Sequence, residues 1–196
     1  MARQRIVCIA KENVNDFPNE LLETLNEKYR VVCVSDTPIE GKPIKTTVKK
    51  PAAFATLRKN SILFDGDVEK CRQDLAELGG KRKAFDFDGV INSYVSGWTG
   101  IGEVVDEPVQ GIIELIKECQ ANGDEVVIYS SRCSSAMGIG TMDNYLRKYC
   151  VDIDTYLENI DDSYILIDDR AIDYTKVEDI VAFLDNFDSW VNKNKK

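Results

Sequence analysis

Three short apolar runs, each closing on polar residues, constrain this chain more than any other feature. They cover residues 84–87, 125–129 and 164–167, and they lead into Asp86-Phe87-Asp88-Gly89, Ser130-Ser131-Arg132 and Asp168-Asp169-Arg170. Runs of this length, bounded by turn residues, read as buried strands. Helical patterns stand between and after them. Pro108 opens a helix with Ile112, Leu115, Ile116 and Cys119 on its buried stripe and Asn122-Gly123 at its end. Residues 140–149 place Met142, Tyr145, Leu146 and Tyr149 on one side, and residues 176–191 do the same with Val177, Ile180, Val181, Leu184 and Phe187. Strands alternating with helices predict an α/β fold: a Rossmann-like parallel sheet with helices on both faces.

The first 79 residues carry the same rhythm more faintly. A strand is expected over 5–10, a helix over 16–29 with Leu21, Leu22 and Leu25 on one side, and a strand over 30–35. Residues 38–51 read as a loop, 61–64 as a strand and 68–78 as a helix that Gly79-Gly80 ends. Those glycines, followed by Lys81-Arg82-Lys83, place a boundary. The expected organisation is an N-terminal α/β extension over 1–79 and the main domain over 80–196.

Composition narrows the chemistry. The 196-residue chain contains no histidine. That removes Ser-His-Asp and Cys-His catalysis and every histidine metal site, leaving carboxylates, lysine, tyrosine and cysteine for proton transfer near neutral pH. None of the six cysteines forms a C-x-x-C pair, which argues against a zinc ribbon, and Cys8 and Cys33 read as small core residues. The net charge of −9 argues against a nucleic-acid partner. The one basic run (Lys42, Lys45, Lys49, Lys50, Arg58, Lys59) reads as a solvated loop. Nothing in the sequence resembles a signal peptide or a membrane span, so the expected compartment is the cytoplasm.

In a parallel sheet the C-terminal strand ends meet along one edge, where doubly wound folds bind ligands. Asp86, Asp88, Asp168, Asp169 and Ser130 are therefore expected in one crevice. Clustered carboxylates repel unless a cation joins them. An all-oxygen set favours a hard ion, Mg²⁺ above others. On a straight strand Asp86 and Asp88 face the same side, and Gly89 lets the chain turn and expose backbone N–H groups to a phosphate. A calcium loop is excluded, because Val90 stands at its third ligand position and no glutamate stands at the required spacing.

Asp86-Phe87-Asp88-Gly89-Val90-Ile91, Ser130 after its apolar strand, and Ile167-Asp168-Asp169-Arg170 resemble the first, second and fourth signatures of the haloacid dehalogenase-like (HAD) phosphatase superfamily. Ser93-Tyr94, Ser96-Gly97-Trp98, Asp106-Glu107-Pro108, Ser131-Arg132 and Gly138-Ile139 narrow the likeness to small hydrolases of bacteriophage and bacterial genomes. The likeness covers residues 83–174. It implies a Mg²⁺-dependent phosphomonoester hydrolase. Asp86 would be the nucleophile and form an aspartyl-phosphate, while Asp88 would protonate the leaving group and activate water. Ser130 would bond the phosphoryl group. Asp168 and Asp169, with Asp86 and the Asp88 carbonyl, would hold the ion. Gly89, Ser131, Arg132 and Trp98 would contact a small phosphorylated substrate, with nucleotides the foremost class. Tyr94 and Trp98 could stack on its base or sugar. The segment between the first two signatures leaves room for a flap only. A site with so small a cap takes large substrates or is covered by another domain, such as 1–79, or by a second copy in a homo-oligomer.

One signature is missing. The family's third, a lysine or arginine before the last strand, would fall in residues 156–162, which carry no base. Lys148, Arg147 and Arg132 are the candidate replacements. Lys50 is another, because residues 50–66 faintly echo the third and fourth signatures. Two further readings stay open: a nucleic-acid end phosphatase, and a non-catalytic relative that binds a nucleotide or a protein.

Overall fold

The structure is a computed structural model that describes residues 5–48 and 53–194. In chain order the strands are β1 (Ile6–Ile9), β2 (Arg30–Val34), β3 (Lys45–Thr47), β4 (Ala55–Leu57), β5 (Ser61–Leu63), β6 (Arg82–Asp86), β7 (Glu125–Tyr129), β8 (Tyr156–Leu157), β9 (Ile165–Asp168) and β10 (Ala171–Ile172). The helices are α1 (Asn19–Lys28), α2 (Val68–Leu78), α3 (Ile112–Ala121), α4 (Ala136–Arg147), α5 (Ile180–Asn186) and α6 (Trp190–Asn194). Two five-stranded sheets form, ordered β10-β4-β1-β2-β3 and β5-β9-β6-β7-β8, with every pairing parallel. The chain is α/β, with helices flanking parallel sheets as in Rossmann-like folds. Among the described residues no helix is long and apolar enough to cross a membrane.

Each sheet belongs to its own compact unit. The first comprises Met1–Lys59 and Arg170–Asp188, the second Asn60–Asp169 and Ser189–Lys196. This division differs from the expected boundary at 79/80, because β5 and α2 join the second sheet and its core. In that core Phe85, Phe87, Ile112, Ile116, Ile128 and Ile167 are fully buried, packed with Ile62, Phe64 and Leu75 from the segment before residue 80. Each such side chain contributes about 1.5–3 kcal/mol of hydrophobic stabilisation. In the first unit, Leu22 and Leu25 of α1 are buried and β1 runs between β2 and β4. Cys8 and Cys33 are both buried, as expected of small core residues. The basic run is not a bare patch: Arg58 is buried and paired with Glu12 at 2.8 Å, and Lys59 pairs with Asp16 at 2.7 Å. Lys49 and Lys50 lie outside the described residues.

Local chemistry explains several boundaries. α2 begins where the Asp67 side chain accepts from Lys70 N–H, and it ends at Gly79, whose φ of 68° closes the helix in the left-handed region. The helix expected from Pro108 begins instead at Ile112. Pro108 bridges Asn92, Ser93 N–H donates to Glu107 O and Val109 N–H to Ile91 O, so this stretch serves as the neck of a flap over residues 93–107. The single helix expected over 176–191 is two. Asp179 caps α5 by accepting from Val181 and Ala182 N–H, and Phe187 ends it in extended backbone. Ser189 then accepts from Asn192 N–H as α6 begins. α5 belongs to the first unit and α6 to the second.

The second sheet has a reversal that creates a crevice. From β6 the chain winds outward through β7 and β8, then returns to the other side of β6 as β9. Such switch points leave an opening at the C-terminal strand ends. The register Lys83↔Ile165 through Phe85↔Ile167 brings Asp86 level with Asp168 at that opening.

Candidate functional site

Asp86 ends β6, Asp168 ends β9 and Asp169 follows. Each offers a carboxylate oxygen, and those oxygens lie within 4.8 Å of one another. Asp168 and Asp169 are buried and Asp86 is half-buried. Asp86 also accepts from Phe87 N–H at 2.8 Å, which fixes its carboxylate just past the strand. Around an octahedral Mg²⁺ with bonds of about 2.1 Å, ligand oxygens sit about 3 Å apart, or about 4.2 Å when opposite. The three carboxylates are thus close enough for one ion to be held after small side-chain rotations, and the donor set is all oxygen.

Asp88 goes elsewhere. The expectation that it shares a face with Asp86 fails, because the chain leaves strand geometry at Asp86 and turns through residues 87–92. Asp88 Oδ2 accepts from Arg132 Nε at 2.7 Å, and Oδ1 accepts from Arg132 Nη2 at 3.2 Å and from Asn92 Nδ2 at 3.0 Å. Its carboxylate is therefore not one of the three in the cluster.

Arg132 is buried, its side chain 1% exposed. Besides Asp88 it serves the flap: Nη1 donates to Gly100 O at 2.8 Å and to Ile101 O and Glu103 O, both at 3.2 Å. Its guanidinium carbon lies 4.4 Å from the Trp98 ring centroid and 5.9 Å from that of Phe87. All its nitrogens are engaged by protein, so Arg132 braces the flap in this arrangement rather than facing a substrate. Trp98 remains exposed.

Ser130 follows β7 and is buried. Its Oγ accepts from Arg132 N–H at 3.2 Å, which leaves the hydroxyl hydrogen as a donor. Ser131 is exposed at the start of a 3-10 turn over Ser131–Ser134. Burial pushes the Cys133 thiol in that turn up to about 11; the Ser130 backbone opposes this and the charges of Asp86 and Glu158 reinforce it. Cys133 is therefore a neutral thiol near neutral pH, not a nucleophile. A Cβ on Gly138 would fall 2.1 Å from Arg132 O, so only glycine lets α4 approach this turn.

Gly89 has φ +104°, and a Cβ there would meet Asp169 Cγ at 3.1 Å and Val191 Cγ2 at 2.9 Å. Its own N–H donates to Asn92 O at 2.9 Å, so it is not the phosphate-facing donor the sequence led us to expect. Its carbonyl accepts from Trp190 Nε1 at 2.8 Å. Trp190, Val191 and Asn92 are supporting residues that sequence reasoning missed. Asn92 had a faint signal as an amide among apolar residues just after the acids. Trp190 had none, since it comes from the far end of the chain.

Among the described candidates for the expected cation, Lys148 is exposed and follows the last residue of α4, whose 12 residues span roughly 18 Å from a start that packs against Arg132. Arg147 pairs with Asp143 at 2.8 Å. Lys50 lies outside the described residues. The stretch expected to hold the third signature starts in β8 beside β7, and Glu158 follows it.

Fold and site together define an α/β protein with a Rossmann-like parallel sheet and a three-carboxylate cluster at the switch point of one sheet. No family model, curated protein or solved structure matches the chain.

Proposed function

We propose that the chain is a HAD-like, Mg²⁺-dependent phosphomonoester hydrolase acting on a small phosphorylated metabolite. The observation that carries this reading is the convergence of Asp86, Asp168 and Asp169. A magnesium ion bound there would neutralise charge on the phosphoryl oxygens. Asp86 attacks phosphorus through a carboxylate oxygen, the ester oxygen leaves, and an aspartyl-phosphate forms. The leaving oxygen takes up a proton. Water then attacks phosphorus, frees Asp86 and releases phosphate. Ser130, at the end of the adjacent strand β7, donates its hydroxyl hydrogen to the phosphoryl group. Asp88 is the acid and base of both steps, and for this its side chain must leave Arg132 and turn toward the reacting oxygen. Mononucleotides fit the net charge of −9 better than nucleic-acid ends do.

The test is phosphate release from a panel of nucleotides and sugar phosphates, with and without Mg²⁺. We expect release to stop on chelation and to fall at least about a thousandfold in Asp86→Asn. A second reading, a binding module without turnover, is favoured by the commitment of Arg132 to Asp88 and the flap. A folded protein that binds a phosphorylated ligand and releases no phosphate would decide for it.

A further inference from the structure

Trp190 opens α6, in the stretch that returns to the second unit after α5. Its half-buried indole touches two segments that lie far apart in sequence. On one side Nε1–H donates to Gly89 O at 2.8 Å, in the turn that follows β6. On the other the ring meets Phe64 edge-on, with centroids 5.8 Å apart, and a Cβ on Gly66 would fall 3.2 Å from Trp190 Cε3. Phe64 and Gly66 follow β5. The next residue of α6, Val191, is buried, and its Cγ2 lies 2.9 Å from the position a Cβ on Gly89 would take.

β9 runs between β5 and β6, so the ends of those two strands flank Asp168 and Asp169. Phe64 N–H donates to Asp168 O at 3.0 Å on the β5 side, and Asp86 ends β6 on the other. Trp190 ties the two flanks together across the aspartate doublet. Gly89 is held twice: its N–H donates to Asn92 O at 2.9 Å and its carbonyl accepts from the indole, so the peptide planes on both its sides are fixed. Asp169 Cγ lies 3.1 Å from the position a Cβ on Gly89 would take, against the same residue. Groups one step behind metal ligands hold those ligands in place, and their loss costs affinity. We infer that Trp190 is a positioning residue for the carboxylate cluster. The strap that begins α6 acts through Gly89 and Phe64 to keep Asp86, Asp168 and Asp169 at the spacing one Mg²⁺ requires. This rests on the metal reading of the cluster and not on turnover. It makes α6 part of the site, although α6 lies outside residues 83–174, where the sequence likeness ends.

The test uses the full chain with Mg²⁺ alone as the ligand. Trp190→Phe keeps an aromatic ring against Phe64 and removes the N–H donor. Calorimetric titration of this variant is expected to give a Mg²⁺ Kd roughly tenfold above that of the wild type, while circular dichroism shows the same fold. A folded Trp190→Phe variant with an unchanged Kd overturns the inference, because a ring that only fills space would lower the urea midpoint and leave Mg²⁺ affinity alone. The chain has one other tryptophan, so Trp98→Phe leaves Trp190 as the sole indole. Its emission is expected to shift on Mg²⁺ addition, with a midpoint equal to the calorimetric Kd of the same variant. This measurement decides the matter if Trp190→Phe does not fold, and emission that ignores bound Mg²⁺ then overturns the inference. If the wild type binds no Mg²⁺, the metal reading falls and the strap's role falls with it. If Trp190→Phe weakens Mg²⁺ binding and the wild type releases no phosphate from any compound, the strap stands and the phosphatase reading falls.

Discussion

Asp86 and Asp88 stand two residues apart, yet their carboxylates serve different partners. The chain turns from Phe87 onward, before Asp88 is reached, and within that turn Gly89 holds a positive φ and, lacking a side chain, leaves room for Asp169 and Val191. Gly89→Ala is expected to destabilise the protein by about 2 kcal/mol, from backbone strain and crowding together. It should also push Asp169 out of register with Asp86 and Asp168, weakening the Mg²⁺ binding we propose for this cluster by about tenfold or more. Urea unfolding reads the first effect and calorimetric Mg²⁺ titration the second. A variant of lower stability but unchanged Mg²⁺ affinity would show that Gly89 does not set the position of Asp169. The Asp-x-Asp-Gly pattern made this turn legible in advance. The destination of the Asp88 side chain was not, because Arg132 is 44 residues away in sequence.

At the scale of elements, β6 and β7 are tied at their starts as well as at their functional ends. Lys83 in β6 pairs with Asp124, the residue before β7, and both side chains are nearly buried, at 7% and 5% exposed. Burial alone would raise the Asp124 carboxyl, but bonds from Lys83 and Lys81 outweigh it and hold the group below its ordinary 3.8. A depressed carboxyl adds stability above its unfolded pKa, and that stability is lost as the pH falls through the folded value. Asp124→Asn leaves Lys83 without its carboxylate and should cost about 3 kcal/mol at pH 7. The gap between wild type and variant should narrow at pH 3, below the ordinary carboxyl value, where the unfolded chain takes up the proton and is favoured by it. Urea midpoints at the two pH values measure this, and an equal gap at both would refute it. The same scale shows where patterns mislead. β3 reads Lys-Thr-Thr and lies at the edge of its sheet, so no apolar run announces it. The helical period of 176–191 continues across Asp188-Ser189, where the backbone breaks and the chain passes from one unit to the other.

At the scale of the whole molecule, the chain crosses between its two units after Lys59, Asp169 and Asp188. A cut at residue 80, which the glycine pair invites, would remove β5 and α2 from the second unit and leave β10 and α5 without the rest of the first. The fragment 80–196 is therefore expected to lack a cooperative thermal transition, although it contains every residue of the carboxylate cluster. Circular dichroism melting of that fragment beside the full chain is the measurement. A sharp transition in the fragment would show that the second core does not need the side chains of Ile62, Phe64, Cys71 and Leu75.

The sequence by itself determined the α/β class, the strands that carry the acids, and the pairing of Asp86 with the Asp168-Asp169 doublet. These follow from short-range properties: apolar runs, turn residues, and the rule that parallel strands end along one edge. Tertiary structure alone decided the rest. It joined β5 and α2 to the second unit, turned Asp88 toward Arg132, carried Lys148 to the far end of α4, and brought Trp190 to Gly89. Each of these depends on which distant groups meet once the core is packed, and local pattern does not encode that meeting.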